Sequence, residues 1–192
     1  MYVNRKAKLC YLASPRTASR AVRNALKQPT HGFYQEGAHH DGPREGLDVQ
    51  GYTCFTVVRN HWDAVVSWWY NARMYEKEEK PSLEWLALQF ARNRGYYWPG
   101  KLFWFRDVPN IILLRYENLE DELNHLLQAR GLKPVVLPKF GVSEKREGRH
   151  YSTYYDPDTR EFVKWCFLPE INELGYKFEE QPKWEKTQRV RP

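Results

Sequence analysis

Three short runs of apolar, aromatic and β-branched residues, at residues 9–13, 52–58 and 111–114, each stand ahead of a stretch whose apolar residues recur at helical spacing. Runs of that length without polar alternation are expected of strands buried on both faces. Ala18, Ala21, Val22, Ala25 and Leu26 follow the first run. Trp62, Val65, Val66 and Trp69 follow the second, and Leu119, Leu123, Leu126 and Leu127 the third. Strands that alternate with helices predict an α/β protein: a three-layer α/β/α domain around a central parallel sheet. Weaker signals add a strand at 33–40 and helices at 82–94 and 158–168, with residues 175–178 closing the fold. Asn60 suits the N-cap of the helix that follows it, with Asp63 in its first turn, and Gly131 suits the end of the helix at 119–130.

The chain has 192 residues, 42% of them hydrophobic, which is enough for one ordinary core and not a disordered composition. With no repeat and no low-complexity linker, residues 1–192 read as a single domain. A formal charge of +6 favours an anionic partner. The three cysteines, Cys10, Cys54 and Cys166, match no zinc spacing and suit a reducing compartment. No apolar run approaches the roughly 18–20 residues that span a bilayer, and no signal peptide is visible. The expectation is a cytoplasmic protein without a membrane partner.

Two segments carry chemistry. Ser14-Pro15-Arg16-Thr17-Ala18-Ser19-Arg20 lies between the first strand and a helix N-terminus, where free amides and the positive end of the helix dipole favour an anion. Thr17 and Ser19 add hydroxyls, and Arg16 and Arg20 add guanidinium groups. The segment suits a phosphate or sulfate, although the Walker Gly-x4-Gly-Lys-Ser/Thr pattern is absent. An ordinary capped helix with surface arginines is the plainer alternative. In the second segment Arg59 ends a buried strand and Ser67 follows eight residues later on a helix. Ligands of open α/β sheets collect at the carboxyl ends of strands, and a guanidinium there can hold a phosphate with two N–H groups. Here the alternative is a surface pair between Arg59 and Asp63.

Together these segments resemble the PAPS-dependent sulfotransferase family (PAPS is 3′-phosphoadenosine 5′-phosphosulfate). Pro15-Arg16-Thr17-Ala18-Ser19-Arg20 is similar to the family's loop for the 5′-phosphosulfate, and Arg59-Asn60-His61-Trp62-Asp63 through Val66-Ser67 to its 3′-phosphate motif. Arg115-Tyr116-Glu117-Asn118-Leu119, and Tyr154-Tyr155-Asp156 through Gly175-Tyr176-Lys177-Phe178, resemble segments of its carbohydrate branch. Residues 141–150, with Lys145, Gly148 and Arg149, resemble a basic loop that closes over the nucleotide. The chain departs from the pattern at Ala18, where the family has Gly, at Arg20, in place of Thr or Ser, and at His61, in place of Pro.

The resemblance implies a P-loop-like sulfotransferase fold. It also implies a nucleotide-binding enzyme that moves the sulfuryl group of PAPS to a hydroxyl or amine, on a small molecule or, by preference, a glycan. The donor site would comprise Arg16, Thr17, Ala18, Ser19, Arg20, Arg59, Ser67, Lys145, Gly148 and Arg149. Arg16 would also act in catalysis, where positioning and charge neutralisation do most of the work. The family's base stands on the loop after the second strand, which puts His40 first, then His39, with Glu36 and Glu45 behind them. No metal is required. A non-catalytic binder of PAPS or adenosine 3′,5′-bisphosphate and a small-molecule kinase remain as alternatives. A nucleic-acid-binding role has no motif behind it.

Overall fold

The computed structural model describes residues 1–37, 49–71, 81–92, 108–138 and 149–180. Among them are five strands: β1 (Tyr2–Asn4), β2 (Leu9–Tyr11), β3 (Tyr34–Gln35), β4 (Thr53–Val58) and β5 (Ile112–Arg115). The helices are α1 (Ser19–Leu26), α2 (His61–Asn71), α3 (Leu83–Arg92), α4 (Leu119–Gln128), α5 (Pro157–Cys166) and α6 (Leu168–Leu174). Short 3-10 turns cover Tyr116–Asn118 and Tyr151–Tyr154.

The protein is α/β, as the alternation of runs and periodic stretches predicts, but its sheet is mixed and not wholly parallel. The strand order is β3-β1-β2-β4-β5. β2, β4 and β5 are parallel, and β1 runs antiparallel to both β2 and β3. The difference comes from β1, which the expected parallel sheet does not include. β1 is three residues long and is joined to β2 by Arg5-Lys6-Ala7-Lys8, a turn with no Gly, Pro, Asn or Asp to announce it. Lys8 takes the left-handed conformation there (φ 54°) that such residues ordinarily occupy. Asn4 completes the turn: its Oδ1 accepts from the Ala7 amide at 2.7 Å, and its amide group donates to the His31 carbonyl at 2.5 Å.

Side-chain alternation divides the sheet's two faces. Tyr2, Leu9, Tyr11, Phe55, Val57 and Leu114 point to one face and pack with Val22, Ala25 and Leu26 of α1 and Leu119, Leu123 and Leu127 of α4. Met1, Val3, Cys10, Leu12, Cys54 and Val108 form a cluster on the other. The helix leucines are those whose spacing predicts an inward stripe. Gly131 (φ 70°) ends α4 with paired bonds, Gly131 N–H to Gln128 O at 2.9 Å and Leu132 N–H to Leu127 O at 3.0 Å, which only a left-handed residue at Gly131 permits.

A separate cluster joins α2, α3, α5 and α6 through Trp62, Val65, Val66, Ala87, Val163, Cys166, Phe167 and Ile171. Asn60 caps α2, its Oδ1 accepting from the Trp62 amide at 3.1 Å. The helix expected over 158–168 starts one residue sooner, at Pro157, because Asp156 accepts from the Thr159 amide at 2.7 Å. It ends at Cys166, and Pro169 at the start of α6 opens a second helix. No helix among the described residues is long and apolar enough to cross a membrane.

His61 begins α2 fully buried between Phe167 and Tyr176, with ring centroids 5.2 and 6.2 Å away, and its Nδ1 meets no hydrogen-bonding partner among the described residues. Burial lowers its pKa from 6.5 to about 3. A base depressed in the folded state takes its proton first in the unfolded chain. Its share of stability is therefore complete above about pH 6.5 and is lost as pH falls toward 3, at about 1.4 kcal/mol per pH unit. Urea unfolding of wild type and His61→Phe at pH 7 and about pH 5 should show a clearly smaller acid loss in the variant. Parallel losses would mean that another group carries the dependence.

Candidate functional site

The parallel strands β2 and β4 run side by side, with Tyr11 at the end of β2 level with Phe55 and β4 continuing to Val58, and the chain leaves them through residues 12–18 and 59–60. Thr56 ties the two exits together by donating from Oγ1 to the Leu12 carbonyl at 2.7 Å. β5 ends at the same edge, with Arg115 level with Val58. The register also places Gln35 of β3 level with Tyr2 and therefore with Tyr11, so β3 leaves the sheet at this edge too.

Arg59 braces the loop after β2. Its Nε and Nη2 donate to Asp63 Oδ2 at 2.8 and 2.6 Å, and Nη1 donates to the Arg16 carbonyl at 2.9 Å. The guanidinium lies 3.9 Å above the Tyr116 ring. Among the described residues three of the five N–H groups of the guanidinium are thereby engaged, which leaves one on each terminal nitrogen. The pair with Asp63 is not a surface pair: the two side chains are only 7% and 14% exposed.

Arg16 crosses in the opposite direction. Its Nη2 donates to the backbone carbonyl and the Oγ of Ser67 at 3.0 and 2.9 Å, and the guanidinium lies 5.7 Å from the Trp68 ring. Among the described residues it meets no carboxylate, and its Nε is buried with no hydrogen-bonding partner. Burial, with Arg59 and Arg20 adding repulsion, lowers its pKa to about 10. A cation at neutral pH is thus held among other cations, with no matching anion among the described residues. The Ser67 hydroxyl accepts from Arg16 and keeps its own proton to donate.

The loop itself is bent by two left-handed residues, Arg16 (φ 60°) and Ala18 (φ 57°). Ala18 is the N-cap of α1 and offers no side-chain cap, so the first amides of the helix have no partner within it. Thr17 Oγ1 donates to the Ser14 carbonyl at 2.9 Å and tightens the bend. Ser19 is buried and Arg20 exposed. A Cβ in the left-handed region costs about 1–2 kcal/mol, partly offset by the entropy glycine loses on folding, so Ala18→Gly should stabilise the chain by about 0.5–1 kcal/mol. Chemical denaturation measures this, and a loss of stability would contradict the strained geometry.

Arg149 is exposed and lies 5.9 Å from the Tyr154 ring, whose hydroxyl is 2.9 Å from that of Tyr70 on α2. His39, His40, Glu45, Lys145 and Gly148 lie outside the described residues. Glu36 stands just past β3 and is paired with Arg5 at 3.2 Å.

Several polar residues support this edge that the sequence does not mark individually as binding residues. Glu117 accepts from the Asn60 amide at 2.9 Å and from the Tyr176 hydroxyl at 3.1 Å. Asn60 Nδ2 donates to the Lys177 carbonyl at 2.9 Å, and Arg115 donates to the Leu174 carbonyl at 2.7 Å with its guanidinium 4.7 Å from the Tyr176 ring. These bonds fasten residues 174–178 across the start of α2. The segments around Glu117 and Tyr176 thus have a local structural use, as a clamp behind Arg59.

The fold and this edge define an α/β protein with a cationic helix terminus, to which the N-cap Ala18 adds no side-chain cap, at the carboxyl ends of its parallel strands. No family model matches the chain, and no curated protein matches it.

Proposed function

We propose that the chain is a sulfotransferase that binds PAPS at the carboxyl edge of β2 and β4. The observation that carries this reading is Arg16, a largely buried cation beside two other arginines, with no carboxylate among the described residues to balance it. Such a group favours an incoming anion strongly, because the cost of its burial is already met by the fold. The first amides of α1, with Arg16 and Arg20, suit the 5′-phosphosulfate. Ser67 and the two remaining N–H groups of Arg59 suit the 3′-phosphate, and Arg149 adds positive charge on the side of α2. The resemblance of residues 15–20 and 59–67 to the two donor motifs of the family points the same way, and with it the three-layer, P-loop-like form of the domain.

Bound PAPS supplies an electrophilic sulfur and a phosphate leaving group. An acceptor oxygen forms a bond to sulfur as the sulfur–oxygen bond to the 5′-phosphate breaks, and the acceptor's proton passes to a base. Arg16 and the α1 amides hold the charge that grows on the departing phosphate. His40 or His39 takes the proton in this reading, with support from the exit of β3 at the same sheet edge. Trp68, half-buried beside Arg16, offers a ring to a glycan acceptor. The left-handed Ala18 favours one competing reading, a binder of the bisphosphate that does not turn over, because the strained loop sets a geometry that glycine would adopt freely.

Calorimetric titration with adenosine 3′,5′-bisphosphate, ATP and duplex DNA is the test. The bisphosphate should bind at least about tenfold more tightly than ATP, a difference of about 1.4 kcal/mol. Preference for ATP would favour a kinase, and preference for DNA would overturn the donor site. Turnover of labelled PAPS then separates the enzyme from the silent binder.

A further inference from the structure

Cys10 and Cys54 are not used by the site just described. They stand directly opposite each other on the parallel neighbours β2 and β4, within one apolar cluster, and both are thiols. Paired residues on adjacent strands lie about 4.7–4.9 Å apart, within the roughly 4.4–6.8 Å that a disulfide spans between Cα atoms. Their side chains share one face of the sheet. Cys54 also lines a cavity of about 330 Å³ at the amino ends of β4 and β5, bounded by residues 49–53 and by Val108, Pro109 and Asn110. A small oxidant in that cavity reaches Cys54 before Cys10.

We infer that Cys54 and Cys10 form a peroxide-sensitive thiol pair, in which Cys54 is attacked first and Cys10 resolves it into a disulfide that joins the two central strands. The chemistry balances with a peroxide as the two-electron oxidant. The Cys54 thiolate attacks one peroxide oxygen, the O–O bond breaks, and Cys54 becomes a sulfenic acid as hydroxide or an alcohol leaves. The Cys10 sulfur then attacks the Cys54 sulfur, the S–O bond breaks, the S–S bond forms, and water departs with the Cys10 proton. The order of attack has a second support. The interaction with Cys10 lowers the pKa of the Cys54 thiol, whereas the same interaction and burial raise that of Cys10. The disulfide would stand on the two strands whose exits are the residue 14–18 loop and Arg59. The pair is independent of the sulfotransferase reading.

The experiment treats the folded full-length chain with graded hydrogen peroxide, quenches it with a maleimide under denaturing conditions, and maps the cysteines by mass spectrometry. The expected product is a monomer lacking two hydrogens, with the Cys10 and Cys54 peptides linked and Cys166 alkylated. Cys10→Ala should instead give a dimedone adduct at Cys54, and Cys54→Ala should leave Cys10 reduced. Links through Cys166, sulfinic acid at Cys54 with Cys10 still reduced, or no loss of hydrogens at a dose that oxidises the denatured chain would each overturn the inference. Mapping on the unaltered protein decides the matter even if an alanine variant fails to fold.

Discussion

Arg59→Ala is expected to destabilise the chain by about 3–5 kcal/mol, because it removes the ion pair that Arg59 makes with the largely buried Asp63 carboxylate. The same change removes the bond from Nη1 to the Arg16 carbonyl and the contact with Tyr116. Whatever fraction folds should then bind adenosine 3′,5′-bisphosphate poorly, since the loop that turns at Arg16 loses its brace. Two controls divide these effects. Arg59→Ala with Asp63→Ala should recover at least about 1 kcal/mol of the loss, because the carboxylate that paired with Arg59 is removed as well. Arg59→Lys keeps the charge, but a single ammonium cannot span Asp63 and the Arg16 carbonyl as a planar fork does, so its bisphosphate affinity should stay low. Denaturant unfolding and calorimetry read the two quantities. A loss in Arg59→Ala below about 1 kcal/mol would show that the pair does not hold this edge together.

Arg16→Ala should behave in the opposite way. Arg16 satisfies only the Ser67 hydroxyl and carbonyl, and no carboxylate among the described residues depends on it. Removing a cation from beside Arg59 and Arg20 also relieves repulsion. Stability should therefore change by no more than about 1 kcal/mol. The functional loss should be large: turnover at saturating PAPS should fall by at least about a hundredfold, as when a donor that stabilises transition-state charge is removed. A rise in KM with kcat unchanged would make Arg16 a binding anchor only. Wild-type kcat and KM together would remove it from the site. The contrast expected between the two arginines follows from which of them meets a carboxylate among the described residues.

Both arginines were visible in the sequence, but their division of labour was not. Spacing put Arg59 at the end of a buried strand and Arg16 ahead of a helix, which are positions where ligands collect. The sequence offered a pair between Arg59 and Asp63 as an alternative to a phosphate contact. In the structure the pair exists, and it is part of what holds the loop. The bond from Arg16 to Ser67 spans fifty-one positions and has no local signal. Glu117 was noticed only through a resemblance, and its work on Asn60 and Tyr176 spans distances of fifty-seven and fifty-nine residues.

The sequence by itself determined the elements whose periodicity is strong and local. The buried strand β4, the leucine stripe of α4, the Asn60 cap and the Gly131 terminus follow from side-chain spacing and backbone preference, which act over a few residues. Tertiary structure decided the rest. It made the sheet mixed, because β1 is too short to show a pattern and is specified by pairing with β2 and β3. It placed Cys10 opposite Cys54 through a register that no local rule sets. Among the described residues it also brought no carboxylate to Arg16, because charge balance at a buried site depends on which distant residues the fold brings near.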